Sequence, residues 1–302
     1  MTKQLTIGLI GLDTSHVTAF TELLNNPENQ YHVAGGKVIA AFPGGSADIE
    51  MSHSRVPGFT NDLRDKYGVQ ILDSVEAVAE AVDAIMIEAV DGRTHIDYFR
   101  RVAPYGKPVF IDKPMTVSSS EALEIAELAQ KYNIPVMSAS SLRYSETLTQ
   151  AIANSEKGAI LGADVYSPMA LEPTNPGYYW YGIHSVEMAF TILGPGCEHV
   201  TASVSEDFDV AVGVWKDGRI GVVRGNRKGN HGYGALIHHE QGPQEVIAYG
   251  PGIKPMYASM LEAVIGMFQT GQSPLPLEQS VEIMRFMEAA NESRETGKRV
   301  YL

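Results

Sequence analysis

The stretch TIGLIGLDTSH, residues 6–16, combines the residue types that holding a phosphate requires. An apolar run reaches Gly11, and the hydroxyls of Thr14 and Ser15 follow. A strand that turns at a glycine into a helix offers an anion backbone N–H groups and the positive end of a helix dipole. In the pattern G-x-G-x-x-G begun at Gly11, however, Asp13 takes the second glycine and His16 the third. A carboxylate about 4 Å from a phosphate charge repels it by about 4 kcal/mol at an effective dielectric of about 20. That is about three decades of affinity. Asp13 must turn away, be neutralised, or exclude the phosphate. The first is expected, because an aspartate can accept the amides of Thr14 to His16 as a turn or N-cap residue. Gly8, Gly11, Asp13, Thr14 and Ser15 are therefore candidate cofactor-binding residues. His238-His239-Glu240 has the residue types of a metal centre, but neighbours on a strand point to opposite faces, and no metal site is expected.

Such a turn needs a sheet behind it. The 302 residues, 44% hydrophobic, suit two domains better than one. Solidly apolar runs at 4–10, 37–42, 69–72, 83–89, 108–111 and 134–139 read as strands. Helical patterns lie between them near 15–25, 61–67, 74–82, 95–103 and 119–132. This alternation predicts a doubly wound parallel sheet covered on both faces, over residues 1–140. From 141 to 302 the pattern changes. A helix at 143–155, a strand near 160–167 and a Tyr-rich helix at 177–193 lead into the strand-like runs VTASVSE, DVAVGVW, IGVVRG, GALIHHE and QEVIAYG. Helices near 256–269 and 277–297 follow. Consecutive strands predict a mainly antiparallel sheet, so the fold class is α/β with a C-terminal α+β domain. A ligand should lie at the carboxyl ends of the parallel strands.

Composition narrows the partners. The formal net charge of −13 argues against nucleic acid and anionic membranes. No run approaches the roughly 20 apolar residues of a membrane span. Gly8 and Gly11 interrupt the N-terminal apolar run and no small-residue cleavage site follows, so it reads as a strand and not a signal peptide. Cys197 is the single cysteine, which excludes a disulfide within the chain and fits a cytoplasmic setting.

Further along, His95 stands 18 residues before Lys113 in YGKPVFIDKPM, and SLRYSE and GIHSVEM follow. This ordered set, with the tail LEQSVEIMRFMEAANESRETGKRVYL, resembles the Gfo/Idh/MocA oxidoreductases over essentially the whole chain. Asp112-Lys113-Pro114 corresponds to that family's Glu-Lys-Pro motif. The resemblance implies hydride transfer between NAD or NADP and a sugar, cyclitol or related polyol. It makes Lys113 and His184 the catalytic candidates, with Glu88, Asp112 and Lys113 beside the cofactor. A lysine at a strand end can donate to the reacting oxygen.

The family often has an aspartate four positions before that histidine, and here Trp180 stands there. At helical spacing Trp180 would stack over His184 and line a substrate pocket with Tyr181 and Arg143. Glu187 becomes the candidate orienter of His184. Lys113 and His184 are expected to face one cavity. The loop Glu88–Arg93 is unusually charged, and the acid expected after the second strand is missing from AFPGGS. The expected function is an NAD(P)-dependent oxidoreductase of a small-molecule polyol. A redox-inactive ligand-binding relative, or a lyase or hydrolase using the same crevice, are the alternatives. The open face of the C-terminal sheet suggests a homo-oligomer.

Overall fold

The computed structural model describes residues 4–302. These fold into two compact units. One comprises the chain up to Thr116 with Ser120–Ala139 and Tyr257–Ser280. The other comprises Val117–Ser119, Ser140–Met256 and Val281–Leu302. The return of residues 257–280 to the first unit is an excursion that a division at residue 140 does not contain.

In the first unit β1 (Leu5–Ile10), β2 (Gly36–Phe42), β3 (Gln70–Ile71), β4 (Ala84–Ile87), β5 (Val109–Ile111) and β6 (Val136–Ser138) form one parallel sheet in the order β3-β2-β1-β4-β5-β6. All four residues of β4 and all three of β5 are buried, as strands covered on both faces require. The connecting helices are α1 (His16–Asn25), α2 (Glu50–His53), α3 (Val56–Tyr67), α4 (Val75–Ala81), α5 (Gly92–Val102) and α6 (Ser119–Tyr132). The α2 turn and the early start of α3 were not legible, because VPGF carries a proline and a glycine in its first turn. The strand order reverses between β1 and β4, the switch point at whose carboxyl ends sheets of this kind bind ligands.

The second unit holds α7 (Glu146–Ile152), β7 (Ile160–Pro168), α8 (Ile183–Leu193), β8 (Cys197–Val204), β9 (Phe208–Trp215), β10 (Ile220–Asn226), β11 (Gly234–His239) and β12 (Gly242–Ile247). The helix α9 (Met256–Thr270) follows, then α10 (Leu277–Thr296) and β13 (Val300–Tyr301). The seven strands run β12-β11-β7-β10-β9-β8-β13. Every pairing is antiparallel except β7 with β10. Burial alternates strictly along β9, with Ala211 and Trp215 inward, so one sheet face carries the core and α8 packs on it. The helix expected at 143–155 is broken. Ser145 is extended and its hydroxyl bonds Ala248 O at 2.7 Å, so a short 3₁₀ turn, Ser141–Tyr144, precedes α7. The return segment begins with Tyr257, whose ring edges against His16 and Phe20 of α1 at 5.1 and 5.3 Å.

Candidate active site

The first unit brings three strand-end loops together. At the end of β1, Gly11 has φ +88°, and an added Cβ would lie 2.6 Å from the Ala89 backbone. Only glycine fits this close approach of the loops after β1 and β4. Gly8 does not belong to the turn. It lies within β1, and a Cβ there would collide with Val78 Cγ1 of α4, so its role is helix–sheet packing and the cofactor assignment is corrected.

Asp13 is fully buried. Its Oδ2 accepts from Ser52 Oγ at 2.6 Å and its Oδ1 from Val90 N at 2.9 Å. The carboxylate is thus drawn away from the start of α1, where the expected cap would have kept it. Ser15 caps α1 without a side-chain hydrogen bond, while Thr14 Oγ1 accepts from His16 N at 3.4 Å. Burial pushes the Asp13 carboxyl above its ordinary range, and the bonds from Ser52 and Val90 oppose that shift.

At the end of β5, Asp112 Oδ2 lies 2.7 Å from His16 Nδ1. The His16 ring is held against Phe20 at 5.2 Å. Burial works to raise the Asp112 carboxyl, but the His16 ring and the Lys113 ammonium outweigh it and hold it at about 2. Glu88, just past β4, is also fully buried. Desolvation, then the Asp112 charge, push its carboxyl well above the usual range. His95 ties two of these loops together. Its Nε2 is 2.7 Å from Ala89 O, and its Nδ1 is 2.9 Å from Pro114 O, beside Lys113. The Lys113–Pro114 peptide is cis.

AFPGGS lacks an acid, but Asp48 follows it in the loop after β2, and that loop is tied to the loop after β4. Ser46 Oγ donates to Asp91 Oδ2 at 2.6 Å, and Arg93 bridges Asp91 and Asp48 at 2.8 Å each. Two carboxylates share one guanidinium, which leaves this loop net negative.

In the second unit Tyr178–Gly182 form a π-helical turn ahead of α8. Its wider i→i+5 pitch carries Trp180 off the face of His184. Trp180 is buried and meets Tyr181 at 6.4 Å, which corrects the expected stack. His184 instead has Tyr181 and Tyr233 edge-on, each at 5.7 Å, and its Nδ1 is 2.8 Å from Ser140 Oγ. Glu187 does not orient His184. It is buried against Arg143, Oε1 to Nε 2.9 Å. Arg143 Nη2 is buried with no hydrogen-bond partner among the described residues. Ser140, Tyr233, Ser52 and the role of His16 were not legible in the sequence, because each depends on a partner at least 39 positions away.

The fold agrees with the comparisons. Residues 6–140 match the family described as "Oxidoreductase family, NAD-binding Rossmann fold". An inositol 2-dehydrogenase of Rhizobium meliloti is 22% identical over 291 residues, covering 80% of this chain and 88% of that protein. One from Corynebacterium glutamicum is 27% identical over 170 residues, covering 53% and 44%. Among solved structures, an apo scyllo-inositol dehydrogenase from Lactobacillus casei superposes with a TM-score of 0.79 at 16% identity, covering 100% of this chain and 99% of that one. The same enzyme with bound NAD(H) and scyllo-inositol gives 0.79 at 16%, covering 99% of each chain. Over residues 6–140 the chain is thus similar to the Gfo/Idh/MocA oxidoreductases and has the family's NAD-binding Rossmann fold.

Proposed function

We propose that this chain is an NAD-dependent dehydrogenase of a cyclitol or closely related polyol. The observation that carries the reading is the first unit's convergence of the Gly11 turn with the Asp112-Lys113-Pro114 turn, the latter tied by His95 to the loop after β4. The turn fits a dinucleotide. The cradle at Gly11 has no room for a Cβ, and Asp13 is drawn inward, so its charge does not occupy the phosphate position. Thr14, Ser15 and the start of α1 would hold the pyrophosphate. NAD, when bound, accepts or returns a hydride. Lys113 would hold and move the proton at the reacting oxygen.

The second unit would bind the polyol. Ser140 fixes the His184 ring through Nδ1, and the buried Arg143 Nη2 has no acceptor among the described residues. Hydroxyl-rich rings offer such acceptors. The negative Asp48–Arg93–Asp91 cluster at the β2 end would repel the extra phosphate of NADP, so NAD is the assigned cofactor. A reducing cytoplasm and a homo-oligomer formed through the open sheet face complete the reading.

Calorimetric titration tests the cofactor assignment. NAD+ should bind at least about 10-fold tighter than NADP+, the equivalent of about 1.4 kcal/mol. Ser140→Ala should raise KM for the polyol and leave NAD+ affinity unchanged. Equal affinity for the two cofactors, or a Ser140 variant that alters only NAD+ binding, would contradict these assignments.

A further inference from the structure

His16, Glu88 and Asp112 come from the loops after β1, β4 and β5, three adjacent strands whose ends adjoin. One ligating atom of each lies within 4.8 Å of the other two. Neither oxygen of the fully buried Glu88 has a hydrogen-bond partner among the described residues. Leaving a buried carboxyl group unsatisfied is costly, and native proteins keep such groups where a ligand answers them. Charge points the same way. Asp13, Glu88 and Asp112 put three buried carboxyl groups in this part of the unit, and Lys113 brings one ammonium. A bound cation would answer Glu88, whose two oxygens have no partner among the described residues.

We propose that His16, Glu88 and Asp112 form a binding site for a divalent cation of the zinc or manganese class. One imidazole nitrogen and two carboxylate oxygens suit those ions, whereas calcium and magnesium favour all-oxygen sets. Three protein ligands leave a coordination position for water or for a ligand oxygen. Glu88 can swing toward the ion without breaking any hydrogen bond. Metal ligands bind deprotonated, so any proton the three side chains carry is released when the ion binds. The site does not depend on the dehydrogenase reading, since it uses this unit's own side chains.

The test uses the full chain stripped with a chelator and titrated with Zn2+ alone, in two buffers of different ionisation enthalpy. One ion per chain should bind, with a heat that changes with the buffer. Mn2+ titrated alone and followed by its electron spin resonance should occupy the same site. Glu88→Gln keeps the side-chain volume and should weaken Zn2+ binding by more than the 10–100-fold typical of losing an outer-shell partner. His16→Phe, which preserves the packing on Phe20 and Tyr257, should do the same, so the test survives if either variant fails to fold. His238→Ala removes the exposed pair with Asp164, 3.1 Å apart, and should change nothing. Wild-type affinity in Glu88→Gln and His16→Phe would overturn the site, as would binding abolished only by His238→Ala, which marks an adventitious surface ion.

Discussion

Asp13 is the residue at which a charge stands where a glycine belongs, and the structure resolves it by bonding instead of by exclusion. Its two oxygens answer Ser52 Oγ and Val90 N, both buried. Asp13→Ala should therefore cost about 2–4 kcal/mol, from losing two hydrogen bonds to a charged acceptor and stranding their donors. Urea denaturation measures it, and Asp13→Asn, which keeps an acceptor, should lose less. Cys197 makes a prediction with a defined pH sign. Burial, then the Glu282 charge, push its thiol up to about 12. Its folded value lies above the unfolded one, so it stays protonated across the whole neutral range. Ellman's reagent should find no fast-reacting thiol at mildly alkaline pH, and one per chain after unfolding. Rapid native reaction would show the cysteine to be open to solvent. At this scale the sequence shows which residues are chemically capable but not whom they meet. Lys113, His184 and Arg143 were visible by type and motif, whereas His16–Asp112 and Ser140–His184 are made by folding.

Elements were more legible, and the physical reason is periodicity. All six parallel strands were readable from apolar runs, most plainly β4 and β5, because strands buried on both faces admit few polar residues. The five strands β8 to β12 were readable from alternation and turn residues. The errors fall where local pattern and tertiary demand diverge. YYWYGIHSVEM has helical spacing throughout, yet Tyr178–Gly182 adopt the wider π turn, and that displaced Trp180 from its expected face. The two-residue β13 carries too little pattern to detect and exists through its pairing with β8. The two glycines of β1 and its turn make a paired prediction. Gly8→Ala crowds Val78 of α4, and overpacking of this kind costs about 1–3 kcal/mol. Gly11→Ala meets the Ala89 backbone at 2.6 Å with φ +88°, and a backbone cannot step aside as a side chain can. Thermal unfolding should rank Gly11→Ala as the more damaging, and it should also weaken NAD+ binding, whereas Gly8→Ala should affect stability alone. The reverse ranking would refute the assignment of Gly8 to packing and Gly11 to the turn.

At the scale of the whole molecule, the chain divides the labour between two units. The first carries the parallel sheet, the Gly11 turn and the Lys113 turn. The second carries His184, held by Ser140, and the buried Arg143. No helix among the described residues is long and apolar enough to cross a membrane. The excursion that sends α9 back to the first unit was hidden from the sequence, because an apolar helix does not declare which core it joins. The family resemblance spans both units, while the family match itself covers residues 6–140. The central claim is hydride transfer from a cyclitol with Lys113 as the proton carrier, and one assay addresses it. The purified chain is incubated with NAD+ and a panel of inositol isomers and related polyols, and reduced nicotinamide is followed by its absorbance. The predicted result is turnover with at least one cyclitol, a kcat that falls by about 10²–10⁴-fold in Lys113→Met, and an NAD+ affinity that the substitution leaves nearly unchanged. Absence of turnover across the panel together with no NAD+ binding, or full activity in Lys113→Met, would contradict it.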